Sequence, residues 1–300
     1  MDQVGFKSGF VAIIGRPNVG KSTLLNTILS QKLSIISPKP QTTRNRILGI
    51  RTDEQAQIIF LDTPGIHRAK SKLNKYMVKT ALKTLEDVDL ILVVVDETVG
   101  DATEDDYDYL FSSLRKVKTP SFLLINKIDL MADERLSFLR NVYSTYHTFT
   151  EILPISALRG DNVELLIEKI AEWLPEGPHY FPDDEVTDQP ERFIIAELIR
   201  EKVINFTHQE IPYKTAVIVE EMKEGARGVM VIDATIYVER DSQKGIMIGS
   251  GGGMLKKIGQ TAREEIEALL GSKVYLTLWT RVKKNWTEND QYLRDLGYRL

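Results

Sequence analysis

The chain has 300 residues, 42% of them hydrophobic and 27% charged, with a net charge of −4. This balance suits a two-domain protein with sizeable cores and argues against a bulk nucleic-acid coat. There is no cysteine, which excludes disulfides and thiolate metal sites, and the four histidines are scattered, which argues against a zinc centre. No apolar run follows a basic N-terminus, so no signal peptide is expected. The longest strongly apolar run, Leu90–Val95, is far too short to cross a bilayer. A cytoplasmic protein is expected.

In chain order, residues 10–14 form a buried strand and 24–29 a helix, joined by Gly15-Arg16-Pro17-Asn18-Val19-Gly20-Lys21-Ser22. The loop fits G-x-x-x-x-G-K-[ST] in the strand–loop–helix setting that this pattern requires. Its glycines let backbone N–H groups close around phosphates, with Lys21 on the β- and γ-phosphates and Ser22 on Mg²⁺. Gly15, Arg16, Pro17, Asn18, Val19, Gly20, Lys21, Ser22 and Thr23 are the candidate phosphate cradle. Gln41-Thr42-Thr43-Arg44 lies in the next loop. A threonine hydroxyl there can complete the magnesium shell only when a γ-phosphate is present, which orders the loop in one nucleotide state. Thr43 is the preferred ligand and Thr42 the alternative.

Strands follow near 47–50 and at 56–61, and the second ends in Asp62-Thr63-Pro64-Gly65. Asp62 can hold the magnesium shell and the Gly65 backbone can approach the γ-phosphate. A helix over 72–87, a buried strand Leu90–Val95, a helix over 104–116 and a strand over 122–125 come next. That strand ends in Asn126-Lys127-Ile128-Asp129. The Asp129 carboxylate can accept from guanine N1–H and N2–H, a donor pair that adenine lacks, while Asn126 and the Lys127 stem pack the base from the side. A helix over 135–146 and a strand over 152–155 lead to Ser156-Ala157, small residues that let a backbone N–H approach the base oxygen. A helix over 163–173 closes this half. The alternation predicts an α/β domain with a mainly parallel sheet and helices on both faces. Every motif falls at or near the carboxyl end of a strand, where such sheets bind ligands.

Residues 177–190 are rich in proline and acid and read as a linker between a domain over 1–176 and another over 191–300. The second half changes pattern: a helix over 193–206, alternating strands over 215–219 and 229–238, a Gly-rich loop, a helix over 254–270 and a strand over 274–279. Ile248-Gly249-Ser250-Gly251-Gly252 places Gly-x-x-Gly before the helix bearing Lys256 and Lys257, an arrangement that can clamp a nucleic-acid backbone. From Arg240 to Lys284 nine basic residues face four acidic ones, the local footprint of phosphate contacts in an acidic protein. Trp279 and Trp286 can stack on bases or fill the core.

The first half resembles the Ras-like GTPases, and its G-x-P-N-V-G-K-S and T-T-R forms are similar to their translation-factor-related bacterial branch. The resemblance implies GTP and GDP as ligands with Mg²⁺ held by Ser22, Thr43 and Asp62, and slow hydrolysis served by Lys21, Thr43, Gly65 and Asn18. Ile66 stands where many relatives place a water-orienting glutamine. Hydrolysis then needs another group, a partner, or a monovalent cation such as K⁺ on Asn18. The second half resembles an α+β type II KH domain. Together the halves resemble the Era family of bacterial GTPases. This implies binding to the 3′ end of 16S rRNA and the small ribosomal subunit, a role in rRNA maturation and subunit assembly, a monomer, and peripheral contact with the inner membrane. Two rivals remain open on the residues alone. One is a phosphotransferase using ATP, which Asn126-Lys127-Ile128-Asp129 opposes. The other is an RNA-binding scaffold with a merely structural nucleotide, which Ile66 permits.

Overall fold

A computed structural model describes residues 5–69, 71–97 and 104–298. Contacts divide the chain into two compact units. The first comprises Met1–Ser34, Thr43–Lys70 and Asn74–Asp188; the second comprises Ile35–Thr42, Ser71–Leu73 and Gln189–Leu300.

The first unit is built on β1 (Lys7–Gly15), β2 (Ile47–Thr52), β3 (Ala56–Asp62), β4 (Leu90–Val95), β5 (Ser121–Ile125) and β6 (Glu151–Pro154). Its helices are α1 (Lys21–Leu29), α2 (Lys72–Thr84, less its first two residues), α3 (Glu104–Leu114), α4 (Asp133–Tyr146) and α5 (Val163–Trp173). The sheet order is β2-β3-β1-β4-β5-β6, parallel except for β2, which runs antiparallel to β3. All six residues of β4 are buried, as an unbroken apolar run between two helical layers must be. On one face Ala12, Ile14, Ile91, Val93, Leu123 and Ile125 pack against Phe111 and Tyr143. The register brings the strand ends level: Ile13 lies beside Asp62, Gly15 beside Val94, and Val95 beside Ile125. The loops that follow these ends are thereby gathered at one rim of the sheet.

The acidic segment forms neither helix nor strand, but it is no free connector. Ser8 N–H donates to Pro175 O and Gly177 N–H to Phe6 O, and the Phe6 and His179 rings stack 3.9 Å apart. The buried Gln57 side chain accepts from the N–H groups of Tyr180 (2.7 Å) and Phe181 (3.0 Å) and donates to Phe181 O (2.9 Å). Ile50 N–H donates to Val186 O and Thr187 Oγ1 to Leu48 O. Residues 175–187 are thus a strap that satisfies edge groups of β2, the strand at the end of the sheet. The division between units falls after Asp188 rather than at the linker's start.

The second unit contains α6 (Glu191–Phe206), β7 (Ala216–Glu224), β8 (Met230–Val238), α7 (Asp241–Ile248), α8 (Gly253–Leu270), β9 (Val274–Val282) and α9 (Asp290–Asp295). β8 pairs antiparallel with β7 and parallel with β9, so the β8–β9 connection must cross over, through α7 and α8. Ile232, Ala234 and Ile236 of β8, spaced by two, meet Ile258, Ala262 and Ile266 of α8, spaced by four. The sequence pattern misses α7, an eight-residue helix with Gly245 in its middle and only Gln243 and Met247 buried. Gln243 Oε1 accepts from the N–H groups of Glu239 and Arg240 and so starts the helix.

The two tryptophans part company. Trp286 is fully buried, donates Nε1–H to Lys214 O (3.0 Å) and stacks on Tyr298, whereas Trp279 is 58% exposed on β9. Trp286→Ala should therefore destabilise the second unit by about 3–5 kcal/mol. Trp279→Ala should cost less than about 1 kcal/mol. Urea titration followed by amide exchange of β8 separates the two.

Candidate functional site

The loop after β1 wraps toward the N-terminus of α1 with Asn18 and Gly20 in the left-handed region. Gly20 is enforced twice, by φ of +101° and by a Cβ position that would stand 2.2 Å from Asn126 Nδ2. Lys21 is buried, and its ammonium donates to the carbonyls of Gly15 (3.2 Å) and Arg16 (2.7 Å). Burial lowers its pKa to about 8 against the opposing pull of Asp62 and Asp96. Such a poorly hydrated cation at the mouth of a backbone cradle is a site for a polyanion.

At the next residue, Ser22 Oγ stands 2.8 Å from Thr43 Oγ1 and donates to Asp62 Oδ2 at 2.7 Å; Ser34 Oγ donates to the same oxygen. Asp62 Oδ1 is buried with no hydrogen-bond partner. Burial raises the Asp62 pKa, while Lys21 and the two serine hydroxyls oppose the rise. Three hard oxygen donors within hydrogen-bond reach, one with an unused lone pair, fit Mg²⁺. Thr42 is not among them. Its hydroxyl donates to Lys39 O at 2.7 Å, whereas the Thr43 hydroxyl is the one beside Ser22.

Gly65 lies against Pro17, and Ile66 N–H donates to Gly15 O at 3.1 Å. The Ile66 side chain is fully buried in the core beside Ala12 and Ile14. It neither polarises water nor faces it.

At the ends of β5 and β6 the structure redistributes roles. The Asn126 side chain is buried, donating Nδ2–H to Val19 O (2.7 Å) and accepting from Ala157 N–H (2.9 Å). It clamps the phosphate loop to the 156–157 turn. Ser156 N–H donates to Asp161 O and Ala157 N–H to Asn126 Oδ1, which fixes the backbone of this turn. Ser156 Oγ instead donates to Asp129 Oδ1 at 2.6 Å and fixes that carboxylate. Lys127, at φ 69°, pairs with Asp96 Oδ2 at 2.6 Å. Asp96 is a site residue that sequence reasoning missed. Its signal is an acid directly after an apolar strand, at the start of Asp96-Glu97.

In the second unit, Gly249 ends α7 at φ +72°, where a Cβ would lie 2.8 Å from that of Met254. Ser250–Gly252 form a tight turn with Gly251 and Gly252 at positive φ, and α8 begins at Gly253. Between α8 and β9 runs an open groove of about 470 Å³, floored by Leu255, Leu276 and Leu278 and flanked by Gly252, Lys256, Arg263 and Tyr275. An apolar floor with cations along one wall suits splayed bases and their phosphates. Lys257 is not in that wall, for its ammonium lies 4.3 Å over the Phe206 ring. Ile248 ends α7 and Ser250 lies in the turn, and neither lines the groove. Arg263 and Tyr275 are not singled out as groove residues in the sequence, because only tertiary packing brings β9 beside α8.

Residues 10–127 match the family described as 50S ribosome-binding GTPase, and residues 210–287 match the KH domain. The GTPase Era of Geotalea daltonii is 53% identical, covering 99% of this chain and 100% of its own. The chain belongs to the Era family of GTPases. The crystal structure of an Aquifex aeolicus Era variant bound to GDP and aluminium fluoride superposes with TM-score 0.93 at 44% identity, covering 98% of this chain and all of that one. A crystal structure of Era with MgGDPNP and nucleotides 1506–1542 of 16S ribosomal RNA gives TM-score 0.94 at 43% identity and the same coverage. The Era-family chain is thus a GTPase with a C-terminal KH domain. Among the described residues no helix is long and apolar enough to cross a membrane.

Proposed function

We propose that this chain is a GTP-driven switch that binds the 3′ end of 16S rRNA and acts in rRNA maturation and small-subunit assembly. The observation that carries this reading is the groove beside the Gly249–Gly252 turn, whose lining fits unpaired RNA in a chain that also carries a guanine-selective GTPase site. The Era complex with a 16S rRNA segment supports the choice of RNA. Such a protein works in the cytoplasm as a monomer on the small subunit, with any inner-membrane contact peripheral.

In the nucleotide site Lys21 binds and neutralises the β/γ region, the Gly15–Thr23 backbone orients the chain of phosphates, and Asp129 selects guanine. Ser22, Thr43 and Asp62 hold Mg²⁺, which when bound offsets phosphate charge. With Ile66 buried, the attacking water is oriented by backbone near Gly65 and by what enters beside Asn18. Asn18 is exposed, and its amide oxygen suits K⁺. Hydrolysis should run about tenfold or more faster in potassium than in sodium buffer, an effect of about 1.4 kcal/mol. Equal rates in the two salts would remove the cation from the mechanism.

Binding is tested by fluorescence anisotropy with an oligonucleotide matching the 3′ end of 16S rRNA against a scrambled one, across a salt series. Preference for the matched sequence supports the assignment, and equal affinity for both overturns it.

A further inference from the structure

Helix α6 carries four charged side chains where a helix on an apolar core would ordinarily carry leucine or isoleucine: Glu197, Arg200, Glu201 and Lys202 are all at least nine-tenths buried. Three of them reach other parts of the same unit. Glu201 Oε1 accepts from Ile36 N–H at 2.9 Å, and Arg200 Nη2, held by Glu197, donates to Thr42 O at 2.5 Å. Lys39 answers from the loop, donating its ammonium to the carbonyls of Ile204 and Thr207 at the C-terminal end of α6. Ile35–Thr42 is therefore gripped by α6 at its start, middle and end. On the other side Lys202 Nζ bridges Glu201 Oε2 (2.6 Å) and Glu265 Oε1 (2.5 Å), and Glu265 belongs to α8.

We propose that Glu201, linked through Lys202 to Glu265, is a positioning residue through which nucleotide state reaches the RNA groove. The inference rests on the proposed function, with Thr43 ordered by γ-phosphate and the groove as the RNA site. Thr43 follows Thr42 directly in the chain, so ordering or release of Thr43 displaces the strand of backbone that α6 grips. When Ile36 N–H leaves Glu201, that buried carboxylate keeps Lys202 as its counter-ion and draws it from Glu265. The helix that starts at Gly253 and presents Lys256 and Arg263 to the groove then loses a tie to α6. Buried ion pairs of this kind do little for net stability against apolar replacements, and their attested use is to specify one arrangement over another.

The test measures affinity of the full chain for the matched 16S 3′-end oligonucleotide, once with GDPNP–Mg²⁺ and once with GDP–Mg²⁺. The wild type should bind about tenfold more tightly in the GDPNP form. Glu201→Gln keeps the volume and the acceptor for Ile36 but presents an amide to Lys202. It should shrink the ratio to below about threefold while leaving nucleotide affinity within about twofold. Glu265→Gln, on a side chain 37% exposed and so tolerant of change, should shrink it as well, and the double variant should go no further than the stronger single one. A purely structural role would weaken both states alike and keep the ratio. A ratio held at the wild-type value in a folded Glu201→Gln or Glu265→Gln protein overturns the relay alone. A wild-type ratio of one overturns it together with the switch reading, and absence of wild-type RNA binding overturns the proposed function itself.

Discussion

Asp129→Asn should lower GTP affinity by about a thousandfold or more and turn preference toward XTP. The carboxylate is fixed by Ser156 Oγ at 2.6 Å and its second oxygen lies 3.8 Å from Arg159 Nε. A carboxylate held there can accept from guanine N1–H and N2–H. An asparagine presents an N–H₂ group to one of those donors, so a hydrogen bond becomes a repulsion and a polar group is left unpaired. Xanthine carries a carbonyl at C2, which the same amide can satisfy. Competition of GTP, ATP and XTP against a fluorescent GDP measures the change. The swap should spare the fold, since Asn126 and not Asp129 clamps the phosphate loop to the 156–157 turn. Unchanged GTP affinity would remove Asp129 from base selection.

Reversing two charges on the groove should be nearly as damaging. Lys256→Glu with Arg263→Glu converts the cationic wall of the groove to an acidic one. RNA affinity should fall by about a hundredfold or more at moderate salt, and the slope of log affinity against log salt should flatten by about two. Lys257→Glu, whose parent ammonium sits on the Phe206 ring away from the groove, should change affinity by less than about fivefold. The salt series distinguishes lost phosphate contacts, which change the slope, from a distorted groove, which lowers affinity at every salt concentration. If Lys257→Glu proves as harmful as the double reversal, the RNA does not follow the groove between α8 and β9.

Much of the nucleotide site is legible because it is local. Gly15 to Ser22, Asp62 and Asn126 to Asp129 each end a strand, and the alternation of strands and helices says that those ends converge. What is not legible is how the gathered groups divide the work. Asn126 has two amide ends, and only the folded rim shows that both are taken by Val19 O and Ala157 N–H. The sequence prefers Thr43 over Thr42, and only the folded loop shows one hydroxyl turned to Lys39 O and the other to Ser22. The acidic segment looks free because its partners are backbone groups and Gln57, on strands more than a hundred residues earlier. Helix α6 hides its purpose for the same reason. Charges at Glu197, Arg200, Glu201 and Lys202 resemble a solvated face until a loop from 160 residues upstream is seen to cover them.

The most direct test of an RNA-responsive GTPase is steady-state GTP hydrolysis by the full chain, alone, with the matched 16S 3′-end oligonucleotide, and with a scrambled one. Stimulation by the matched RNA only, by about fivefold or more, is the predicted result and corresponds to about 1 kcal/mol of barrier. Identical rates in all three conditions, with the matched RNA demonstrably bound, would contradict direct coupling between the two domains.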